Sequence, residues 1–200
     1  EFLPVDKLEE ENPKTLLLDE VEQGVNYALV ISTNAGLWRY LIGDTIRFTS
    51  LDPFRIEITG RTKTFINAVG EELIEENATK ALAIACQKCS AEISEFTAAP
   101  IYFETGNNAS HEWLIEFENP PENIEYFTET LDNALKSLNS DYEAKRYHNM
   151  VLRPPVVRQV PEMTFYNWLK TKNKLGGQHK VPRLSNNRKH VEEILELIGK

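Results

Sequence analysis

From Val25 the odd positions Val25, Tyr27, Leu29 and Ile31 alternate with Asn26, Ala28 and Ser32, the two-residue period of a half-buried strand. Asn34-Ala35-Gly36 supplies a turn. Leu37 to Ile42, Thr45 to Ser50 and Phe54 to Thr59 continue as strands, the last with Phe54, Ile56 and Ile58 opposite Arg55, Glu57 and Thr59. Residues 1–60 therefore read as a β-rich meander. After Gly60 the period changes. Ile74, Ala78, Ala81, Ala85 and Cys89 draw one apolar stripe along a helix. Trp113, Ile115 and Phe117 alternate with Glu112 and Glu116 as a strand, which pairs with Pro100 to Glu104 across the polar turn Gly106-Asn107-Asn108. Beyond the Pro120-Pro121 break, Ile124, Phe127, Leu131, Leu135 and Leu138 share a helix face. A strand over Val156 to Val160, a helix from Thr164 to Lys174 and another from Asn187 to Ile198 complete residues 61–200 as a small α/β domain, so the fold class is α+β.

A chain of 200 residues buries roughly 70% of its unfolded surface without a covalent staple. The sequence has neither an apolar run of membrane-spanning length nor a basic-then-apolar leader, and the expectation is a cytoplasmic protein with no membrane partner. It opens at Glu1 in EFLPVD, which reads as the middle of a longer chain.

The net charge of −9 argues against nucleic acid as a partner. Its distribution is uneven. Between Met163 and Val191 there is no Asp or Glu, while Lys170, Lys172, Lys174, Lys180, Arg183, Arg188 and Lys189 give seven positive charges; the remaining 15 basic against 31 acidic residues carry −16. Such a segment reads either as a solvated helix face or as a local field for a small phosphorylated ligand. Cys86 and Cys89 lack the further ligands of a zinc site, and late in a helix they read as small buried apolar residues.

Three short patterns stand in order: Tyr40-x-x-Gly43-Asp44, Gly60-Arg61-x-Lys63 and Gln178-His179-Lys180-x-Pro182-Arg183. Taken singly, Gly43-Asp44 and Gly60-Arg61 are turn chemistry. Together they resemble the C-terminal part of the adenylate-forming superfamily, and within it the GH3 (auxin-responsive, acyl acid amido synthetase) family. GLWRYLIGD, QHKVPR and Asn139-Ser140-Asp141-Tyr142 are similar to that family's stretches.

The resemblance implies the β-rich end of a large N-terminal domain (residues 1–60), then a small mobile C-terminal domain (61–200) with a mixed sheet flanked by helices. It implies an ATP-dependent ligase that adenylates an acyl acid and passes the acyl group to an amino acid amine. Asp44 would then accept hydrogen bonds from the ribose hydroxyls, with Tyr40 and Arg61 also at the nucleotide. Lys63 would be the hinge, and Gly70 either a glycine that nears the acceptor or a simple turn residue. Lys180 would be the catalytic cation offsetting the charge of the α-phosphate and attacking carboxylate, delivered by a loop containing Gly176-Gly177.

The superfamily's Ser/Thr/Gly-rich phosphate loop has no counterpart, so ATP and its Mg2+ would be bound mainly by a missing N-terminal domain; no metal site is expected in these residues, and the fragment alone should not turn over. Lys63 stands where many relatives carry Asp, and His179 where the motif has Tyr. Two alternatives keep the fold: ligation to a thiol such as coenzyme A, and a non-catalytic nucleotide-binding or interaction domain.

Overall fold

The computed structural model describes residues 1–8, 10–62, 64–103, 108–149, 151–174 and 180–199. Two compact units emerge, Glu1–Thr64 with Ile74–Glu76, and Phe65–Leu73 with Asn77–Lys200.

The first unit is an antiparallel meander of β1 (Phe2–Pro4), β2 (Asn26–Ile31), β3 (Tyr40–Leu51) and β4 (Phe54–Arg61), adjacent in chain order. Tyr27, Ile46, Phe48 and Val21 form its main core with Phe2, whose ring meets Tyr27 and Phe48 edge-on at 6.2 and 5.2 Å. The other face of the sheet holds the smaller cluster Leu3, Ala28 and Val30.

Two expectations are corrected here. The segment Leu37–Ser50 is not two strands broken at Gly43-Asp44: β3 runs continuously from Tyr40 to Leu51 and absorbs that dipeptide as a bulge. In β4 the alternation is present, but Phe54, Ile56 and Ile58 are 49%, 54% and 75% exposed, whereas Thr59 is buried and donates to Thr45 Oγ1 at 3.0 Å. The hydroxyl pair satisfies itself inside; of the apolar row, Phe54 meets the Phe48 ring edge-on at 6.0 Å, while Ile56 and Ile58 stand mostly exposed.

The second unit contains β5 (Phe65–Ile66), β6 (Leu73–Ile74), α1 (Glu75–Cys89), β7 (Glu92–Tyr102), β8 (Ala109–Asn119), α2 (Ile124–Leu138), α3 (Ser140–Arg146), β9 (Val156–Val160), α4 (Thr164–Thr171) and α5 (Lys189–Ile198); residues 74–76 of β6 and α1 cluster with the first unit. Its main sheet has the order β7-β8-β9, antiparallel between β7 and β8 and parallel between β8 and β9, hence mixed.

Helices cover both faces of this sheet. Phe96, Trp113, Ile115 and Phe117 pack with Ala78, Ala81, Leu82 and Ala85 of α1 and with Phe127, Leu131 and Leu135 of α2. On the other face Leu114 and Val160 pack with Phe165 and Trp168 of α4 and Val191 and Ile194 of α5. The helix α2 starts where expected because Asn123 caps it, its Oδ1 accepting from the N–H groups of Glu125 and Tyr126 at 2.9 and 3.0 Å, a contact worth ~1 kcal/mol.

Other differences follow from this covering. The strand expected at Pro100–Glu104 begins at Glu92, and Glu104 with Gly106-Asn107 lies outside the described residues. Glu112 and Glu116 do not face solvent: they are 1% and 9% exposed, on the side of β8 covered by α4 and α5. Glu112 is neutralised by Arg158 and, at 2.6 Å, by Arg188. Glu116 accepts from the N–H groups of Met163 and Phe165 at the start of α4, where the helix dipole favours a carboxylate. Cys86 and Cys89 are half-buried against the main core at the end of α1, and burial, then the neighbouring Cys89, pushes the Cys86 thiol up, away from its reactive form. No helix among the described residues is long and apolar enough to cross a membrane.

Candidate functional site

In the first unit the bulge determines where Asp44 points. Ala28 pairs with Thr45 and Val30 with Leu41, so a step of two on β2 spans four on β3. Gly43 sits at φ +91°, a conformation that side-chain-bearing residues rarely adopt, and its carbonyl accepts from the N–H of Thr62 at 2.9 Å. Asp44 faces Arg61 across the β3–β4 ladder, with Arg61 Nε 3.2 Å from Asp44 Oδ1. The Arg61 side chain is 72% exposed and that of Asp44 36%, so this pair contributes ~0–1 kcal/mol and is readily exchanged for another partner. Tyr40, 52% exposed, opens the same strand. Lys63 lies outside the described residues.

In the second unit the connection from β5 to β6 is tightly braced. The Glu71 carboxylate is fully buried and accepts from the N–H groups of Ala68 and Val69, each at 2.8 Å, and from His111 Nε2 at 2.7 Å. Burial pushes this carboxyl up, but the hydrogen bond and charge of His111 and the two N–H groups outweigh that and hold it below the ordinary glutamate value. Asn139, which begins the NSDY stretch, caps α3 by accepting from the Tyr142 N–H and donates to the carbonyls of Glu71 and Glu72, both at 3.1 Å. Tyr142 is buried and donates to Asp132, whose carboxylate also takes both arms of Arg146 at 2.7 Å. This motif is thus a brace for the loop. Gly70 lies exposed on it at φ +95°, its N–H donating to Asn67 Oδ1.

Lys180 is exposed, immediately before a fastened segment. Val181 is buried with the α4–α5 core. The Arg183 carbonyl accepts from the N–H of Ala98 at 2.8 Å and the Ser185 N–H donates back to Ala98 at 3.1 Å, so these residues run alongside β7 in parallel. Gly176-Gly177, Gln178 and His179 lie outside the described residues.

The linear tally of basic residues overstates the local field. Lys172 pairs with Glu193 at 2.6 Å, Arg188 with Glu112, and Arg183 lies 3.9 Å from Glu95, acids that the tally did not place beside them. Glu71, His111, Thr97 and His190 were not singled out by the sequence reading. Only His190 carried a signal, its spacing from Val191 and Ile194 on a buried helix face. Burial pushes His190 below its ordinary value. An open cleft of about 470 Å3, lined by Leu82, Cys86, Ile93 and Phe96 among others, contains none of Asp44, Arg61 and Lys180.

Comparison with known proteins bears on both units. Residues 1–61 match the model of the GH3 family central domain and residues 76–189 that of the GH3 family C-terminal domain. The chain is 28% identical over 199 residues to indole-3-acetic acid-amido synthetase GH3.3 of Arabidopsis thaliana, covering 92% of this chain and 32% of that protein. To the probable indole-3-acetic acid-amido synthetase GH3.1 of the same plant it is 27% identical over 200 residues, covering 93% and 32%. Among solved structures it is similar to GH3.15 acyl acid amido synthetase, with a TM-score of 0.67 and 21% identity over 90% of this chain and 34% of that one. The chain spans about a third of the length of the curated relatives it matches.

Proposed function

The chain belongs to the GH3 family, and from that premise we propose that it is the C-terminal third of an ATP-dependent ligase that activates a carboxylic acid and joins it to an amino acid amine. In the first step a carboxylate oxygen attacks the α-phosphorus of ATP, the bond to the β-phosphate oxygen breaks, and pyrophosphate leaves. In the second, the amine nitrogen attacks the acyl carbon, AMP departs with the electron pair of the mixed-anhydride C–O bond, and the nitrogen gives up a proton.

Asp44 holds the ribose: its two oxygens match a cis-diol, and exchanging the exposed Arg61 contact for two hydroxyl donors costs little. Arg61, released toward the nucleotide, supplies a donor there, and Tyr40 lines the same side. Lys63 is the hinge between residues 1–60 and 61–200. Lys180 offsets the negative charges brought together at the α-phosphorus. The sequence holds no counterpart of the superfamily's Ser/Thr/Gly-rich phosphate loop, so the Mg2+ that accompanies ATP would be held mainly by the remainder of the enzyme, and no step here runs through it. The location we infer is cytoplasmic.

The observation that carries this reading is the match of two consecutive domain models along one chain, with Asp44 in the first and Lys180 in the second. The names of the relatives, amido synthetases, favour an amine over a thiol as acceptor. Exchange of labelled pyrophosphate into ATP by the intact enzyme, across a panel of organic acids, is the test. Lys180→Ala should slow exchange by roughly 10²–10³, and Asp44→Ala should weaken ATP binding by about 1.5–3 kcal/mol. Amino-acid-dependent AMP release is expected; release that answers only to coenzyme A would overturn the amide assignment, and absence of exchange with every acid would overturn the whole.

A further inference from the structure

The bond nearest to Lys180 that ties its segment to the fold is made by a side chain. Thr97, fully buried on β7, donates its hydroxyl proton to the carbonyl of Pro182 at 2.5 Å. Pro182 has no N–H, so its carbonyl is the only backbone group through which this residue can be fastened. A hydroxyl has one proton, and here it is committed. The second contact of the same oxygen, His190 Nε2 at 2.8 Å, is therefore an N–H donating to Thr97, which orients the hydroxyl toward Pro182. His190 is itself held at the start of α5, 7% exposed, with the Trp168 ring 6.5 Å away. The remaining ties, Ala98 to Arg183 and Ser185, are backbone ladder bonds farther from the lysine.

We propose that Thr97, oriented by His190, is a positioning residue for Lys180: it fixes the carbonyl two residues beyond the lysine and so decides where the ammonium is presented. The inference rests on the reading of Lys180 as the cation of the adenylation step. Thr97 and His190 touch no substrate; they act through the chain. Misplacement of a reacting group by an ångström costs on the order of 10²-fold in rate, and removing this tether leaves the Val181 side chain as the nearest remaining anchor.

The test uses the intact enzyme and its two half-reactions. Thr97→Val keeps the shape and removes the hydroxyl, and is expected to lower kcat for pyrophosphate exchange by about 10- to 100-fold with little change in the KM for ATP. Amide formation from supplied acyl-adenylate should stay within about twofold, because phosphorus is not attacked in that step and no anionic nucleophile is brought up to the α-phosphate for Lys180 to offset. Thr97→Ser restores the hydroxyl and should restore exchange. His190→Gln, which keeps an N–H donor, should resemble the parent, whereas His190→Leu should resemble Thr97→Val; this second pair decides the matter if Thr97→Val does not fold. Parent-like exchange by Thr97→Val, or equal losses in both half-reactions, overturns the proposal. Lys180→Ala measured alongside separates the two levels: if it exchanges as fast as the parent, the reading of Lys180 fails, and if it is slow while Thr97→Val and His190→Leu are fast, only the positioning role fails.

Discussion

In the second unit β8 is buried on both faces, and even its acids Glu112 and Glu116 are enclosed with partners, whereas in the first unit β4 leaves Phe54, Ile56 and Ile58 in solvent. Both strands alternate cleanly in sequence. Alternation states which residues share a face, and burial depends on what packs against that face. In β8 the covering helices turned a polar row into an internal one, tolerable because each carboxylate gained cations or N–H donors. In β4 only Phe54 gained a partner, the Phe48 ring, and Ile56 and Ile58 stayed mostly exposed.

The second unit should accordingly be sensitive to single changes that the first absorbs, and two of the three tryptophans, Trp113 and Trp168, are buried there to report on it. The largest effect is expected from Asp132→Ala, which strands the buried Arg146 guanidinium and should cost about 3–5 kcal/mol in urea denaturation followed by tryptophan fluorescence. A loss within experimental error of zero would show that the charge is hydrated in place.

Acid should act through the same groups. Burial pushes the Asp132 carboxyl up, but Arg146, Lys136 and Tyr142 outweigh it and hold the group below the ordinary aspartate value, as His111 does for Glu71. A depressed carboxylate binds fewer protons folded than unfolded, so its contribution is complete above the ordinary carboxylate range and is lost as pH falls from about 4 through the lowered folded values. Urea midpoints across that range should fall less steeply for Asp132→Ala than for the parent.

Asn139→Ala removes the cap of α3 and the brace on Glu71 and Glu72, and should cost about 0.5–2 kcal/mol. Its sharper readout is faster amide hydrogen exchange at residues 67–72. The smallest effect belongs to the first unit: Ile58→Thr, at a side chain 75% exposed, should stay within about ±0.5 kcal/mol of the parent chain. A loss above that range would mean the apolar row is covered in solution, which would break the contrast between the two strands.

The candidate residues were unequally legible. Asp44 and Lys180 stand in short motifs whose order along the chain carries information, and Gly43 announces an unusual backbone, although its place inside one continuous strand rather than at a turn became visible only with the β2 register. Thr97 has no such mark. Nothing in FTAAP distinguishes its hydroxyl from any other, since its partners lie 85 and 93 residues away. Asn139 was noticed as part of a motif, but its work on the β5–β6 loop depends on contacts 67 and 68 residues distant.

By itself the sequence determined the periods of the strands and helices, the break at Pro120-Pro121 and the linear order of the motifs, because these depend on residues within a few positions of one another. Only the tertiary structure decided that Glu112 and Glu116 are inside, that Ile56 and Ile58 are outside, and that a threonine on β7 tethers the chain beside Lys180. Those outcomes depend on which distant segment arrives at a given face, and local spacing carries no record of that.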